Sequence, residues 1–158
     1  MCLVIDANTF ASIFDPKSQE HSRFVPVLNW VTVGKGRIVY GGTKYKRELK
    51  KLGRYLHIIS QLSIQGRVIV LPSLPIDRYA AKLKARIPSP KFDDEHLVAI
   101  VAQSNCRVVC SDDKRAYPYL RRQTLYPKNV KRPKIYSSAS HVKLCCDEHL
   151  TKICRAHT

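Results

Sequence analysis

Acidic residues are scarce in this chain of 158 residues: 12 Asp and Glu stand against 28 Lys and Arg, a formal net charge of +16 at pH 7. So large a basic excess indicates a polyanionic partner or an anionic surface. The sequence has no long basic amphipathic helix of the kind that lies on a membrane, whereas phosphate contacts use many spread Lys and Arg side chains. Nucleic acid is therefore the partner that we expect.

Long hydrophobic runs are also missing. No run approaches the roughly 20 apolar residues that a membrane-spanning helix needs, and the apolar stretch at 2–5 stops at Asp6, too early for a signal peptide. Cys106 and Cys110 flank an apolar run, as buried free thiols do. We expect a cytoplasmic protein without membrane association and with reduced cysteines instead of a disulfide framework.

Short apolar runs alternate with stretches of helical periodicity along the chain. The runs predict strands at 2–5, 37–40, 67–71 and 107–110, with a short fifth strand at 135–136. The predicted helices are at 10–14, 21–33, 44–62, 75–85, from Asp93 or Asp94 onward, 114–122 and 137–154. Strands without period-two alternation, separated by helices, indicate a parallel sheet covered on both faces. The length favours one domain. We expect an α/β fold with a central parallel sheet of four to five strands flanked by helices.

The few acidic residues stand at the predicted junctions between strands and helices. They are Asp6 after the first strand, Glu48 in the helix after the second, Asp93, Asp94 and Glu95 before the fourth, and Asp112 and Asp113 after it. In a parallel sheet these positions fall near one edge, where ligand sites form. Converging carboxylates repel one another unless a cation offsets their charge, and their oxygens suit Mg²⁺ or Mn²⁺. An acidic site in a basic protein is what metal-dependent phosphodiester cleavage requires.

Each of these acids has a simpler explanation when taken alone. An Asp after a strand is often a turn residue or a helix cap, as Asp93 in particular could be. Glu48 lies between Arg47 and Lys50 and could belong to a solvated face with intrahelical ion pairs. The joint pattern, and no single acid, favours the metal site.

Four segments, in order, resemble the motifs of the PIN-domain family. Residues 3–9 resemble its opening, an apolar strand that ends in Asp-x-Asn or Asp-x-Ser, and 47–49 resemble a Glu-Leu early in a helix. Residues 94–100 resemble an Asp followed by an apolar helix with Ala near its fifth position, and 108–114 resemble a strand followed by Ser-x-Asp. The resemblance covers residues 2 to about 137.

The resemblance implies a metal-dependent endoribonuclease that cleaves single-stranded RNA with Mg²⁺ or Mn²⁺. Its acidic positions fall on Asp6, Glu48, Asp94 and Asp113, and its polar supporting positions on Asn8 and Ser111. Asp93 competes with Asp94 for the third position, and Asp112 competes with Asp113 as a metal ligand. A PIN-like three-layer domain would span 1–137, and 138–158 would form a helical tail packed on that domain or extending it.

Many prokaryotic members of that family are toxins neutralised by a small antitoxin, others process RNA, and some have lost activity. The resemblance therefore leaves open a small antitoxin or another protein inhibitor as a partner, and a homodimer. The main alternative function is a catalytically silent RNA-binding or regulatory module. A further alternative is a different α/β phosphoryl-transfer or nuclease fold with a similar acidic edge.

Basic residues and tyrosines surround the expected site in the sequence. The candidate RNA contacts are Lys44, Lys46, Arg47, Lys114, Arg115, Arg121 and Arg122. The interleaved tyrosines are Tyr40, Tyr45, Tyr117, Tyr119 and Tyr126. Exposed tyrosines stack on bases, although a solvated charged face with tyrosines in the core would give the same pattern. The tail contains residue types that ligate zinc, at spacings that core packing explains equally well. These are Cys145, Cys146, His149, Cys154 and His157.

Overall fold

The structure is a computed structural model that describes residues 2–146 and 152–155. Its strands are β1 (Cys2–Ile5), β2 (Arg37–Gly41), β3 (Val68–Leu71), β4 (Val108–Cys110) and β5 (Lys134–Tyr136). Its α-helices are α1 (Phe10–Phe14), α2 (His21–Thr32), α3 (Thr43–Lys51), α4 (Leu56–Ile64), α5 (Ser73–Arg86), α6 (Glu95–Ser104), α7 (Tyr117–Leu120) and α8 (Lys152–Arg155). Segments of 3-10 helix lie at Ala7–Thr9, Gly53–Tyr55, Gln123–Leu125 and Ala139–Leu144.

The five strands form one sheet in the order β3-β2-β1-β4-β5, and every neighbouring pair is parallel. The predicted α/β fold with a parallel sheet flanked by helices is confirmed. The chain leaves β1 for β2 and β3 on one side, then returns to β4 and β5 on the other. The strand order therefore reverses between β1 and β4, which is where crevices open at the carboxyl ends of parallel strands.

Burial explains why the central strands are apolar throughout. All residues of β1 and β4 are buried, since helices cover both faces of the sheet. Helix α6 is buried along nearly its whole length and packs against α5, β1, β2 and α7. A helix that is apolar all round, as 97–102 is, belongs in such a position. In the part of the chain that the structure describes, no helix has the length and hydrophobicity to cross a membrane.

The predicted single helix at 44–62 is wrong, because the chain breaks into two helices there. Helix α3 ends at Lys51, a 3-10 turn follows at Gly53–Tyr55, and α4 begins at Leu56. Glycine is a poor helix former, and the turn brings the Tyr55 side chain into the core. Tertiary packing therefore outweighs the continuous helical periodicity.

The predictions for the last third of the chain are too helical. The helix predicted at 114–122 is the single turn α7. The helix predicted at 137–154 is replaced by the 3-10 segment Ala139–Leu144 and the short α8, while 147–151 lie outside the described residues. The serines at 137, 138 and 140 favour turns, and Ser138 caps the 3-10 segment by accepting the Ser140 N–H. The predicted division at residue 137 stays a prediction.

The cysteine prediction is wrong for one pair. Cys2 in β1 and Cys154 in α8 form a disulfide, with their Cα atoms 6.0 Å apart, a separation typical of disulfides. Their sequence separation of 152 gave no local signal. Cys106 and Cys110 are free and buried, as predicted.

The disulfide also removes Cys154 from the set of zinc candidates in the tail. Cys145 and Cys146 are free and half-buried, and His149 and His157 lie outside the described residues.

Candidate functional site

Asp6 lies at the carboxyl end of β1 and is only 1% exposed. Its backbone N–H donates to the Cys110 carbonyl, 2.8 Å away, which anchors it to the end of β4. Its carboxylate accepts the Asn8 N–H at 3.1 Å and the Ser111 hydroxyl at 2.8 Å. Burial raises the pKa of Asp6, although these two hydrogen bonds act in the opposite direction. Asn8 contacts Asp6 through its backbone N–H and Ser111 through its hydroxyl, and the support predicted for them around a metal stays a prediction.

Asp113 follows β4 and is connected to Asp6 through Ser111, whose Oγ accepts the Asp113 N–H at 3.1 Å. Its carboxylate is held by Arg115, with Nη2 2.6 Å from Oδ2 and Nε 3.0 Å from Oδ1. The hydrogen bonds and charge of Arg115 lower the pKa of Asp113.

Asp112 takes a different direction from its neighbour. Its Oδ1 lies 2.9 Å from Nη2 of Arg23 on α2, and its backbone N–H donates to the Thr9 hydroxyl at 3.2 Å. Of the two competing acids, Asp113 lines a cleft together with Glu48 and Asp94, and Asp112 does not.

Asp94 immediately precedes α6, and its carboxyl group is crowded by other acids. Burial, then the negative charges of Asp6 and Asp113, raise the pKa of Asp94 to about 6. Asp93 is instead 2.7 Å from the Lys44 ammonium, which lowers the pKa of Asp93. The two neighbours therefore differ: Asp93 forms an exposed ion pair, and Asp94 is more buried and has a raised pKa.

Glu48 lies on α3, and a hydrogen bond of Tyr45 fixes the orientation of this helix. The buried Tyr45 hydroxyl donates to the Ile5 carbonyl at 2.5 Å, which fixes α3 against the end of β1. Glu48 is three residues further on and so lies on the same helix face. Its Oε2 is 3.0 Å from Nε2 of the buried His96, and its charge acts on Asp6.

Glu48, Asp93, Asp94 and Asp113 line one cleft of about 260 Å³, which we call the acidic cleft. It is lined by Asn8, Glu48, Pro90, Lys91, Asp93, Asp94, Asp113 and Arg115. Asp6 and Ser111 are buried beside it and do not line it. The sequence-predicted acids at positions 6, 48, 94 and 113 are thus brought to one end of the sheet.

The acidic cleft does not hold a preassembled metal centre. Within residues 2–146 and 152–155, no three His, Cys, Asp or Glu side chains are arranged so that they could hold one metal ion. Three cations already engage the acids: Arg115 pairs with Asp113, Lys44 pairs with Asp93 and Glu95, and Lys84 lies 3.9 Å from Glu95. The donor chemistry fits a hard divalent cation, but binding one requires side-chain rearrangement, including release of Asp113. The predicted metal site stays a prediction.

Two residues near the acidic cleft were not predicted as site residues. Glu95 is 6% exposed and lies 3.2 Å from the Lys44 ammonium. His96 is 3% exposed and contacts Glu48. Both directly precede the stretch 97–102 that is apolar all round, and that stretch could have signalled their burial.

The predicted RNA contacts divide by exposure. Five of them are exposed, namely Arg47, Lys114, Arg115, Arg121 and Arg122, whereas Lys44 and Lys46 are half-buried. Lys46 donates to the Ser73 hydroxyl at 2.8 Å. Tyr45 and Tyr126 are buried, so base stacking is wrong for these two, while Tyr40, Tyr117 and Tyr119 are half-buried.

Comparison of the chain with models of protein families, with curated proteins and with solved structures finds no match. The function therefore has to be inferred from the residues and geometry of the acidic cleft.

Proposed function

We propose that this protein is a PIN-like, metal-dependent endoribonuclease that cleaves single-stranded RNA at the acidic cleft. The observation that carries the proposal is the convergence of acids from four separate segments at the carboxyl ends of β1 and β4. These acids are Asp6, Glu48, Asp94 and Asp113. Burial, together with the negative charges of Asp6 and Asp113, raises the pKa of Asp94 to about 6, so this grouping of acids disfavours their charged forms. Such crowding is typical of a functional site.

Asp6, Glu48, Asp94 and Asp113 would hold Mg²⁺ or Mn²⁺. When bound, such an ion supplies an activated water and neutralises charge on the scissile phosphate. The chain contributes the alignment: the Asn8 N–H and the Ser111 hydroxyl orient Asp6, and Nε2 of His96 lies 3.0 Å from the Glu48 carboxylate. Arg115 lines the acidic cleft, and the exposed Arg47 and Lys114 directly precede the cleft residues Glu48 and Arg115 in sequence; these three would bind the RNA backbone.

The deciding experiment compares cleavage by wild type and Asp6→Asn of a labelled single-stranded RNA in Mg²⁺ or Mn²⁺. We expect Asp6→Asn to lose cleavage by at least about a hundredfold, because one ligand charge is removed, and to retain RNA affinity, which depends on Lys and Arg. Asp15→Asn is the matched control, since Asp15 pairs with Arg54 and does not line the acidic cleft.

Cleavage that persists in Asp6→Asn, or in wild type with excess EDTA, would refute the metal-carboxylate mechanism. Binding of RNA by wild type without cleavage of any of a varied set of RNAs would favour the second candidate.

The second candidate is a catalytically silent RNA-binding or regulatory module. It is supported by the ion pairs of Asp113 with Arg115 and of Asp93 with Lys44, which hold acids of the cleft without a metal. A silent module would bind RNA equally well in EDTA and in Mg²⁺. Calorimetric titration with Mn²⁺ separates the two candidates, because only the nuclease should bind the ion in a manner that Asp6→Asn weakens.

Single-stranded RNA is the partner that follows from the proposal. A small antitoxin or another protein inhibitor, and a homodimer, belong to the same proposal through the family resemblance. We propose the cytoplasm as its location because RNA substrates are there, although the Cys2–Cys154 disulfide weighs against a reducing compartment.

A further inference from the structure

A second cavity, of about 450 Å³, lies along the outer edge of β5, and we call it the basic cavity. Four cationic side chains line it: Arg121, Arg132, Lys134 and Lys143. No acidic side chain lines it, and none of the four cations forms an ion pair with another described residue. Four cations around one concavity repel one another and attract an anion.

The arginines of the basic cavity are held in place by the fold. Arg132 donates its backbone N–H to the Gln123 side chain and its Nη1 to the Arg121 carbonyl, both at 2.9 Å. The Arg121 guanidinium lies over the Tyr117 ring, 5.3 Å from its centroid. Side chains that are positioned before binding lose less entropy when a ligand arrives.

The basic cavity also has an apolar part and a free strand edge. Ile135, Pro133 and Leu144 contribute apolar surface to its lining. Neighbouring residues of a strand direct their backbone groups to opposite sides, and the Lys134 N–H and the Tyr136 carbonyl bond with β4. The N–H and carbonyl of Ile135 therefore face the open edge. Cations, backbone groups and an apolar surface together suit a nucleotide, which has a phosphate and a flat base.

We propose that the basic cavity binds one nucleotide of a single-stranded RNA, with the phosphate against Lys134 and Lys143 and the base against the apolar surface. The choice of RNA rests on the proposed function. Helix α7 connects the two sites: Tyr117 donates to the Ser111 carbonyl beside the acidic cleft, and Arg121 lines the basic cavity. The Cα atoms of Arg115 and Arg121 are six residues apart in sequence, which is at most about 21 Å. A separation of this size is within the length of a short RNA strand.

The experiment measures binding of a labelled single-stranded RNA oligonucleotide to the full chain. It is carried out in EDTA, because it tests binding and does not require cleavage. The test variant is Lys134→Gln/Lys143→Gln. The matched control is Lys128→Gln/Lys131→Gln, which removes the same charge from exposed lysines of the neighbouring loop that do not line the basic cavity. Thermal unfolding of both variants verifies that each is folded.

We expect the test variant to lose about tenfold or more in affinity, and the slope of log K against log salt to become shallower by about 0.7, the value for one lost phosphate contact on a single strand. The control should stay within about threefold of wild type, because only long-range attraction is reduced. Adenosine monophosphate should compete weakly and adenosine should not, since the phosphate provides most of the affinity. The oligonucleotide should compete best because it reaches both sites.

Equal losses in the two double variants would overturn the proposal. Adenosine monophosphate binding as tightly as the oligonucleotide would assign the basic cavity to a free nucleotide instead of RNA, and stronger competition by an acidic peptide would assign it to a protein partner. If wild type fails to cleave RNA but the two variants differ as expected, the nuclease proposal is refuted and the proposal that the basic cavity binds RNA is supported.

Discussion

Individual carboxyl groups of the acidic cleft differ in what offsets their charge. Asp113 has Arg115, Asp93 has Lys44, and Asp6 has the Ser111 hydroxyl and the Asn8 N–H. Among the described residues Asp94 forms no ion pair, and burial with two neighbouring acids raises its pKa. Substitutions at these residues should therefore change stability in opposite directions.

Replacing Asp94 with Asn should stabilise the metal-free protein. The pKa of Asp94 rises from 3.8 to about 6 on folding, so the folded state holds this proton more tightly and stability falls as pH rises through that interval. In EDTA at neutral pH, Asp94→Asn should raise the free energy of unfolding by about 1–2 kcal/mol, after allowance for solvent screening. Near pH 4 the gain should disappear. Urea unfolding at both pH values measures it.

Asp113→Asn is the comparison for that measurement. Its carboxyl group has a lowered pKa because of Arg115, so the substitution should leave stability unchanged or reduce it at neutral pH. Equal stabilisation by both substitutions would mean that general charge reduction, and not the crowding of Asp94, is responsible.

Arg115 should compete with a divalent cation for Asp113. Arg115→Gln removes the guanidinium that holds both carboxylate oxygens, so Mn²⁺ should bind about two- to fivefold more tightly, as expected for an exposed ion pair. Lys114→Gln is the matched control, because Lys114 is an exposed neighbouring cation that does not line the acidic cleft. Calorimetric titration measures both affinities, and equal increases would indicate a long-range charge effect only.

Among the structural elements, the turn from β2 to α3 decides where Glu48 lies. Gly42 has φ +83° and ψ 152°, a conformation that is essentially restricted to glycine. Asp77 on α5 completes the turn by accepting the Thr43 N–H at 2.8 Å and the Thr43 hydroxyl at 2.6 Å. The turn thereby starts α3 in the direction that Tyr45 then fixes.

Gly42→Ala should destabilise the protein by about 2–3 kcal/mol, because the backbone conformation is unfavourable for alanine and the new Cβ would lie 2.7 Å from Cγ2 of Ile76. Gly53→Ala is the control, since a Cβ at Gly53 meets nothing within 4 Å. That substitution should change stability by at most about 0.5 kcal/mol. Chemical denaturation of the two variants tests the difference, and similar values would show that the turn tolerates a side chain.

At the scale of the whole molecule, the Cys2–Cys154 disulfide joins the first strand to the last described helix. It closes a loop with a sequence separation of 152, and closing a long loop restricts the unfolded chain. Arg37 of β2 adds a hydrogen bond of 2.9 Å to the Cys154 carbonyl. The C-terminal segment is thereby tied to the central sheet.

Cys154→Ser should lower the free energy of unfolding by about 2–4 kcal/mol in the absence of reductant, and added reductant should bring wild type to the same level. Cys145→Ser is the control, because Cys145 is free and should respond little. Thermal unfolding with and without reductant measures the effect. Titration of all six cysteines as thiols in unreduced, denatured protein would contradict the disulfide.

The strand positions and the grouping of acids could be predicted because both depend on local information. An apolar run such as Val4–Ile5 predicts a buried strand, and an acid directly after it lies at the carboxyl end of that strand wherever the strand is placed. Parallel strands align those ends, so Asp6, Asp94 and Asp113 could be expected together before any distance was known.

Only the tertiary structure decided which groups face each other. Arg115 could turn toward solvent or toward Asp113, and Asp112 and Asp113 differ by one position in the chain yet point to Arg23 and to the acidic cleft respectively. The same holds for Cys2 and Cys154, and for the cations of the basic cavity, which come from separate segments. Side-chain direction and long-range contacts depend on packing between distant segments. Neither the periodicity nor the composition of the sequence predicts that packing.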